Sequence, residues 1–248
     1  MRRRPLIVAA VGLATAIPLV LTEGLSTGAV DPPRSGKATA QKVATYESVR
    51  RDGQPVAVIT RATALRDAPD GRRIAHIAKR TEFGTPTVLA ALDERRGWLR
   101  VIASQVPNGR TAWIPTSAAA LVANPWKVRA DLSRRLVTVL RDGRVVKRFR
   151  VAIGRPQTPT PTGRFAVTDK LSFIGGSAAY GWGALALSGH QPHIEPGWTG
   201  GDRLAVHGTH SPSSIGQAAS FGCFRAADSD VQWLVRNVFL GSVVTVRP

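Results

Sequence analysis

The stretch Arg203–Gly241, "RLAVHGTHSPSSIGQAASFGCFRAADSDVQWLVRNVFLG", decides the fold of the second half of the chain. Its opening apolar run predicts a short strand that ends at His207. Its closing part spaces apolar side chains as an amphipathic helix does, with Asp228 as a natural N-cap and Gly241 as a natural stop. Between the strand and the helix lies Cys223, the single cysteine in 248 residues.

This cysteine cannot form an intramolecular disulfide, so Cys223 is an inert buried thiol, an intermolecular cross-linker or a reactive nucleophile. Free cysteine is among the most buried residue types, and taken singly both Cys223 and His207 favour a structural role. Together they favour a nucleophilic pair, because an imidazole can remove the thiol proton and later protonate a leaving amine. Gly222 permits backbone amides to approach a developing oxyanion, and Arg225 offers a planar fork to a substrate carboxylate.

The N-terminus begins MRRRPLIVAAVGLATAIPLVLTEG, with three arginines before an uncharged apolar stretch. This layout predicts a secretory signal in residues 1–29, cleaved after Ala29. The alternative is an uncleaved membrane anchor, which the short apolar stretch and Pro18 disfavour. We expect the remainder to be exported to the cell wall or the outer face of the plasma membrane. The stretch DPPRSGKATAQ is rich in Pro, Gly and Ser and predicts a linker over residues 30–50.

The formal net charge is +18, from 34 Lys and Arg against 16 Asp and Glu. Such a field attracts polyanions. For an exported protein the expected partner is an anionic cell-wall or membrane surface and not nucleic acid. The alternative is a basic bias of the whole proteome without a specific partner. We expect a monomer.

Residues 51–123 contain five short apolar runs separated by turn residues: VAVIT, RIAHIA, TVLAAL, WLRVIA and TAWIP. This density of short strands predicts a small β-barrel. The stretch GWLRVI…NGRTAWIP resembles the end of bacterial SH3-like modules. We therefore expect a small SH3-like β domain over residues 51–123.

Residues 124–248 are expected to be mostly β, with one amphipathic helix. Apolar and polar residues alternate on both sides of Asp142-Gly143, a pair that tolerates the positive φ angles of a two-residue hairpin turn. Three prolines between Arg155 and Val167 exclude a helix or a central strand, and they predict a loop that enters a strand. The terminal SVVTVRP predicts a final strand.

Histidines in the C-terminal half raise a zinc site as an alternative: His190, His193, His207 and His210. Structural zinc sites combine closely spaced Cys and His ligands, whereas His190-x-x-His193 lies in a Gly- and Pro-rich loop without a paired Cys-x-x-Cys. We expect no metal and no organic cofactor.

The segment HGTHSPSSIGQAASFGCFRAADSDVQWL resembles the active-site signature of the L,D-transpeptidase (YkuD-like) catalytic domain. VAIGRPQTPTPTGRFAVTDK resembles the loop and strand upstream of that signature in the same family, so the likeness spans about residues 126–247. It implies a β-rich, sandwich-like fold with the cysteine at the bottom of a groove. It also implies the peptide stems of bacterial peptidoglycan as the substrate.

The resemblance implies a role for each matching residue. Cys223 matches the acylated nucleophile, His207 the general base, and the carbonyl of Gly208 the group that orients the imidazole. Further positions match those that shape the substrate pocket and oxyanion hole: Thr209, Ser220, Gly222 and Arg225. The family usually has a histidine where this chain has Phe221, a departure that puts rate and substrate preference in question.

The resulting hypothesis is a peptidoglycan L,D-transpeptidase with a role in cell-wall biogenesis and cell shape. It would cross-link stem peptides through a Cys223 thioester and release D-alanine. One alternative is an L,D-carboxypeptidase, in which water resolves the thioester. A second is a weakly active or non-catalytic wall-binding protein, an alternative suggested by Phe221 and by the net charge. A third, a secreted cysteine protease, fits the Cys–His pair but not its flanking residues.

Overall fold

The computed structural model describes residues 44–248, which belong to one compact unit. The predicted signal in residues 1–29 and most of the predicted linker in residues 30–50 lie outside the described residues. Where that linker ends, the chain forms helix α1 (Tyr46–Asp52). Thr45 is its N-cap, and the Thr45 hydroxyl accepts a hydrogen bond from a backbone amide of the first turn. Among residues 44–248, no helix has the length and apolar character needed to cross a membrane.

Seven antiparallel strands follow α1 and form the first sheet, in the order β3-β2-β6-β5-β4-β1-β7. They are β1 (Gln54–Ile59), β2 (Thr63–Arg66), β3 (Arg73–Ile77), β4 (Val88–Arg95), β5 (Trp98–Ile102), β6 (Ala112–Pro115) and β7 (Ala119–Asn124). The five apolar runs of the sequence correspond to five of these strands, and β2 and β7 are additional. Buried side chains that include Leu65, Leu99 and Ile114 form the core of this sheet. The likeness of residues 51–123 to SH3 modules stays a prediction.

Eight strands form the second sheet, in the order β10-β9-β8-β17-β12-β13-β14-β16. They are β8 (Trp126–Asp131), β9 (Leu136–Arg141), β10 (Arg144–Arg150), β12 (Gly163–Ser177), β13 (Gly181–His190), β14 (Arg203–His207), β16 (Phe224–Arg225) and β17 (Val243–Arg247). Two short strands, β11 (Ile153–Gly154) and β15 (Ala218–Ser220), pair with each other in parallel. With helix α2 (Asp228–Asn237) added, the fold is mainly β, as predicted.

Four local predictions for the second half are confirmed. Asp142 and Gly143 have φ angles of 50° and 77° and form the turn of the β9–β10 hairpin. The proline-containing segment is a loop that leads into β12, and the last residues of the chain form β17. His207 is the final residue of β14.

Both predicted ends of helix α2 are wrong. Ala227 occupies the N-cap position, so Asp228 is the first helical residue, and the helix already ends at Asn237. The Asp228 carboxylate is not used for capping because it binds the backbone amides of Trp182 in β13 and of Thr209 after β14. Gly241 lies beyond the helix and is needed for a different reason. A Cβ atom at Gly241 would lie 2.8 Å from the side chain of Val56, where the two sheets approach each other.

Asn124 joins the two sheets at the point where the sequence changes from one to the other. Its side-chain amide donates to the carbonyl of Leu240 (3.0 Å), and its side-chain oxygen accepts from the amide of Trp126 (2.9 Å). A small buried cluster that includes Ala90 of the first sheet and Ala166 of the second lies between them. Helix α2 packs on the larger core of the second sheet, next to the strands that carry the site described below.

Candidate active site

His207 is placed by strand β14, which lies between β13 and the short β16. The strand is buried along Leu204–Val206, and His207 itself is 4% exposed. Its Nδ1 atom lies 2.7 Å from the carbonyl oxygen of Gly208, the contact that the sequence comparison implied. Because a carbonyl only accepts hydrogen bonds, Nδ1 carries the proton and Nε2 has a free lone pair. The imidazole is therefore held in the tautomer that a general base requires.

Burial also sets the charge of this imidazole. The pKa of His207 is lowered to about 4, mainly by desolvation and also by the charge of Arg225, while the hydrogen bond to the Gly208 carbonyl opposes the shift. His207 is therefore neutral at neutral pH. The edge of its ring meets Tyr180, with the ring centroids 5.0 Å apart and the planes at 78°. These contacts leave the imidazole uncharged and restrained.

The turn after His207 is held by a carboxylate. Oδ1 of Asp228 accepts from the backbone amides of Trp182 (3.2 Å) and Thr209 (3.3 Å). Gly208 fits beneath this carboxylate because it has no Cβ, which would otherwise lie 1.9 Å from Oδ1. The carbonyl that orients the imidazole is thus fixed by its own neighbours and by the start of helix α2.

Cys223 ends a tight turn before β16 and is a free, half-buried thiol. Its Sγ lies 3.7 Å from the carbonyl oxygen of Arg203, which accepts the weak S–H donor. Burial raises the pKa of the Cys223 thiol to about 11, although the nearby Arg225 charge acts in the opposite direction. In the resting state the sulfur is therefore a protonated thiol, and no thiolate–imidazolium pair is preformed.

The turn itself is organised by Ser220, whose hydroxyl donates to the carbonyl of Cys223 (2.6 Å) and accepts from the amide of Gly222 (3.1 Å). The amide of Gly222 is thus already bound, and the expectation that Gly222 lets backbone amides approach an oxyanion stays a prediction. Gly222 is needed because its φ is 118° and its missing Cβ makes room for the side-chain amide of Gln191, 2.0 Å from that position. Among the described residues, the amide of Cys223 itself donates to no protein acceptor.

A cavity of about 290 Å³ brings most of the predicted residues together. Five of them line it: Cys223, His207, Thr209, Ser220 and Arg225. Gly208 and Gly222 are not in its lining, and both act through the backbone as described above. The cavity is therefore lined by a thiol, a neutral imidazole and a guanidinium.

Arg225 supplies the cation. It lies in β16, opposite His207 of β14 in the strand register, and its backbone also bridges to Ala152. Arg225 lines the cavity, and within residues 44–248 its guanidinium forms no ion pair. A half-buried, unpaired guanidinium is suited to binding a carboxylate through two parallel hydrogen bonds.

The opposite side of the cavity was not predicted from the sequence. It is formed by the loop of residues 191–202, which we call the cover loop. Trp198 of this loop stacks on Phe221, with the ring centroids 5.3 Å apart, and the guanidinium of Arg155 lies 4.5 Å from the Phe221 ring. Arg155 also forms an ion pair with Glu195 of the cover loop (2.6 Å). No sequence motif signals these contacts because they join three separate segments of the chain.

The histidines considered as zinc ligands are used differently. Nε2 of His190 lies 2.6 Å from the carbonyl oxygen of Ser104, and its Nδ1 lies 2.9 Å from the carboxylate of Asp202. His190 therefore links Asp202 of the cover loop to the segment that follows β5 of the first sheet. Across the described part of the chain, no three His, Cys, Asp or Glu side chains are grouped as a metal site would require.

Comparison with known proteins places this site in a family. The family model of the YkuD L,D-transpeptidase catalytic domain matches residues 125–246. The "Putative L,D-transpeptidase YkuD" of Bacillus licheniformis is 32% identical over 124 residues, which cover 50% of this chain and 67% of that protein. "L,D-transpeptidase 2" of Mycobacterium tuberculosis is 29% identical over 125 residues, covering 47% of this chain and 30% of that protein.

Solved structures that this chain is similar to include an L,D-transpeptidase from Mycobacterium smegmatis, at a TM-score of 0.43 and 16% identity, covering 77% of this chain and 99% of that one. At these values the global superposition is loose, and the assignment rests on the sequence relatives. The matched residues 125–246 include nearly all of the second sheet, helix α2, His207 and Cys223. This chain therefore belongs to the YkuD family of L,D-transpeptidase catalytic domains.

Proposed function

We propose that this chain is a peptidoglycan L,D-transpeptidase that uses Cys223 as its nucleophile and His207 as its general base. The observation that carries the proposal is one cavity lined by a free thiol, an imidazole with an unprotonated Nε2 and an unpaired guanidinium. Family membership supplies the reaction class. Peptide stems that end in a diamino acid–D-alanine bond are the proposed donor.

In the first half-reaction, the sulfur of Cys223 attacks the carbonyl carbon on the diamino-acid side of that bond. Because burial disfavours both charged forms, the thiol proton moves to Nε2 of His207 as the sulfur–carbon bond forms. The carbon–nitrogen bond to D-alanine then breaks, and the same proton passes from Nε2 to the departing amine. The product is a thioester at Cys223.

In the second half-reaction, the side-chain amine of another stem attacks the thioester carbonyl. A carbon–nitrogen bond forms, the carbon–sulfur bond breaks, and the amine proton returns to the sulfur through Nε2. Both tetrahedral intermediates carry an oxyanion, and the free backbone amide of Cys223 is the donor that we assign to it. Arg225 is assigned to a carboxylate of the stem peptide.

The proposal includes export through residues 1–29 and action at the cell wall or at the outer face of the plasma membrane. Its support is the sequence pattern of the N-terminus and the nature of the proposed substrate, which lies outside the cytoplasm. It also includes a monomeric state, with no nucleic acid as partner.

The test is mass spectrometry of the Cys223 peptide after incubation with a tetrapeptide stem, combined with measurement of released D-alanine. We expect a thioester adduct in the wild type and none in Cys223→Ala. His207→Ala should reduce acylation by about 100-fold or more. The matched control is His210→Ala, because His210 is an exposed histidine three residues away that does not line the cavity, and this variant should acylate normally.

Each other outcome has a clear meaning. Release of D-alanine by Cys223→Ala at the wild-type rate would refute the assignment of the nucleophile. A thioester that is resolved only by water would identify an L,D-carboxypeptidase. A folded wild-type protein that forms no adduct with the stem or with a carbapenem would be the non-catalytic wall-binding protein instead.

A further inference from the structure

The outer face of the second sheet carries a row of arginines far from the cavity. In the strands β10, β9, β8, β17 and β12, alternate side chains such as Val128, Val137 and Phe165 are buried in the core. On the opposite face, Ala166 and Val243 are buried against the first sheet, whereas several other side chains, such as Arg129, are exposed. The exposed part of this face is strongly basic, and nothing in the proposed reaction uses it.

The strand registers align five residues of this face on a single line across the sheet. Arg148 pairs with Thr138, Thr138 with Arg129, Arg129 with Thr245, and Thr245 with Arg164. All three arginines are exposed, and half-buried threonines separate them. Because neighbouring strands are about 4.8 Å apart, successive arginines are spaced about 10 Å along the line. We call Arg148, Arg129 and Arg164 the arginine row.

The charge of this row is not neutralised within the described residues. None of its three guanidinium groups forms an ion pair in that part of the chain. Lys127, Arg150 and Arg247 lie on the same face in neighbouring registers and are also exposed. The acidic residue in those registers is Asp131, which already accepts from the Ser133 hydroxyl and the Arg134 amide. The face therefore has a large unbalanced positive charge.

At the β12 end, the row leads into a cavity of about 270 Å³ between helix α1 and the second sheet. Arg164, Lys127 and Arg50 line this cavity together with Gln54 and Tyr46. Arg50 has one partner, Glu47, at 3.3 Å, but both side chains are largely exposed, so that pair is weak. Three cations thus converge on a concave site that continues the line of the row.

We propose that the arginine row and this cavity bind a linear phosphodiester polymer of the poly(alditol phosphate) type. Arginine forks bind phosphate oxygens through two hydrogen bonds, and the intervening threonines offer hydroxyl donors. A row of regularly spaced charges matches a chain of repeating anions. The row contains no large apolar side chain to insert into a bilayer and no aromatic ring to stack on a nucleobase. The aromatic residue that lines the cavity, Tyr46, is buried, so a membrane or a nucleic acid is disfavoured.

The row and the catalytic cavity are separate in the fold. In the strand order, the row spans β10 to β12, whereas His207 and Cys223 lie at β14 and beside β16, beyond β13. Polymer binding can therefore fail while acylation of Cys223 persists, and the reverse holds as well. The inference does not depend on the proposed reaction, and the two can be tested on the same purified protein.

The experiment measures binding of the whole chain to a fluorescent synthetic poly(glycerol phosphate) oligomer, from about 50 to 200 mM salt. The test variant is Arg129→Gln/Arg148→Gln/Arg164→Gln. The matched control is Arg73→Gln/Arg110→Gln/Arg236→Gln, three exposed arginines elsewhere without ion pairs in the described residues. Both variants lose three of the positive charges that make up the formal net charge of +18.

We expect the row variant to lose at least about tenfold in affinity and to show a salt slope shallower by about 2, as for three lost phosphate contacts. The control variant should change by less than about twofold, and both should acylate at Cys223 like the wild type. Equal losses in both triple variants, or no loss in the row variant, would overturn the inference. Tighter binding to phosphatidylglycerol vesicles or to single-stranded DNA than to the oligomer would overturn the choice of partner.

A single substitution covers the case in which the triple variant does not fold. Arg129→Lys keeps the charge at the centre of the row and removes the planar fork. We expect a loss of about threefold in affinity for the oligomer. The same substitution at Arg73 should have no effect, and an equal change at both positions would contradict a specific site.

Discussion

The two sides of the catalytic cavity are built in different ways. On one side, the backbone ladder between β14 and β16 holds His207 opposite Arg225 and places Cys223 just before the paired residues. On the other side, the cover loop of residues 191–202 rests mainly on side-chain contacts, with Trp198 and Phe221 each 37% exposed. The residues that carry the reacting atoms are therefore placed by main-chain hydrogen bonds. The position of the cover loop at the cavity instead depends on side-chain contacts, which single substitutions can remove.

The base of the cover loop is an exception that clarifies this difference. Its two ends are joined by a backbone hydrogen bond from Gln191 to Asp202 (2.7 Å). The side chain of Gln191 then donates to the carbonyls of Phe221 (3.0 Å) and Pro159 (3.1 Å). The base of the loop is thus as well attached as the catalytic side, while its outer part contacts the rest of the described chain through the Trp198–Phe221–Arg155 stack and the Glu195 ion pair. We expect substitutions on the two sides to affect chemistry and binding differently.

The largest effect on the acylation rate is expected on the side of the cavity that the main chain holds, from Asp228→Ala. Without the carboxylate, the amides of Trp182 and Thr209 lose their shared acceptor, and the Gly208 carbonyl no longer fixes the imidazole. A misplacement of about 1 Å can reduce a rate about 100-fold, and we expect a loss of that order in the acylation rate of Cys223.

The matched control for this prediction is Asp228→Asn. An amide oxygen can accept both hydrogen bonds, so this variant should retain most of the acylation rate. If Asn reduces the rate as much as Ala does, the charge of Asp228 matters and its role in positioning the turn is wrong. Melting temperatures of both variants separate a local change from unfolding.

An effect of intermediate size is expected when the alkylation rate of Cys223 is measured as a function of pH. Burial raises the pKa of Cys223 to about 11, so less thiolate is present at a given pH than in an exposed cysteine. The rate of alkylation by iodoacetamide follows the thiolate, and it should increase about tenfold per pH unit until the pH approaches that value. N-acetylcysteine is the control, and its rate should level off at lower pH. A plateau for Cys223 near neutral pH would instead indicate a preformed thiolate–imidazolium pair.

The smallest effect is expected on the cover-loop side, from Phe221→Ala. This change removes the stacking partner of Trp198 and of Arg155, an aromatic contact typically worth about 0.5–1.5 kcal/mol. We expect the KM for the stem peptide to increase about threefold to tenfold, with kcat nearly unchanged. Phe221→Tyr should preserve the stack and the KM.

Phe83→Ala is the control for this comparison, because Phe83 is also an exposed phenylalanine but belongs to the first-sheet region. It should leave both constants unchanged. If Phe221→Ala lowers kcat and spares KM, then Phe221 acts on the reacting atoms, and the separation of the two sides does not hold.

Much of the fold could be predicted because its signals are local. The positive φ angles at Asp142-Gly143 follow from the residue types themselves, and so does the exclusion of regular structure by the clustered prolines. The start of helix α2 could not be predicted. Asp228 has a side chain suited to an N-cap, but its carboxylate accepts a hydrogen bond from the amide of Thr209, 19 residues away in the chain. Local propensity yields where a tertiary contact offers the same group a better partner.

By itself, the sequence determined the hairpin, the strand that ends at His207, the single thiol and the family to which they belong. Only the tertiary structure decided the protonation of that thiol and imidazole, since burial by distant segments shifts both pKa values toward the neutral forms. It also decided the cover-loop side of the cavity and the alignment of the arginine row, because both depend on contacts or strand registers between segments far apart in the chain. The residue type specifies which reactions and contacts a side chain is capable of. Packing specifies which neighbours it contacts and therefore its protonation state.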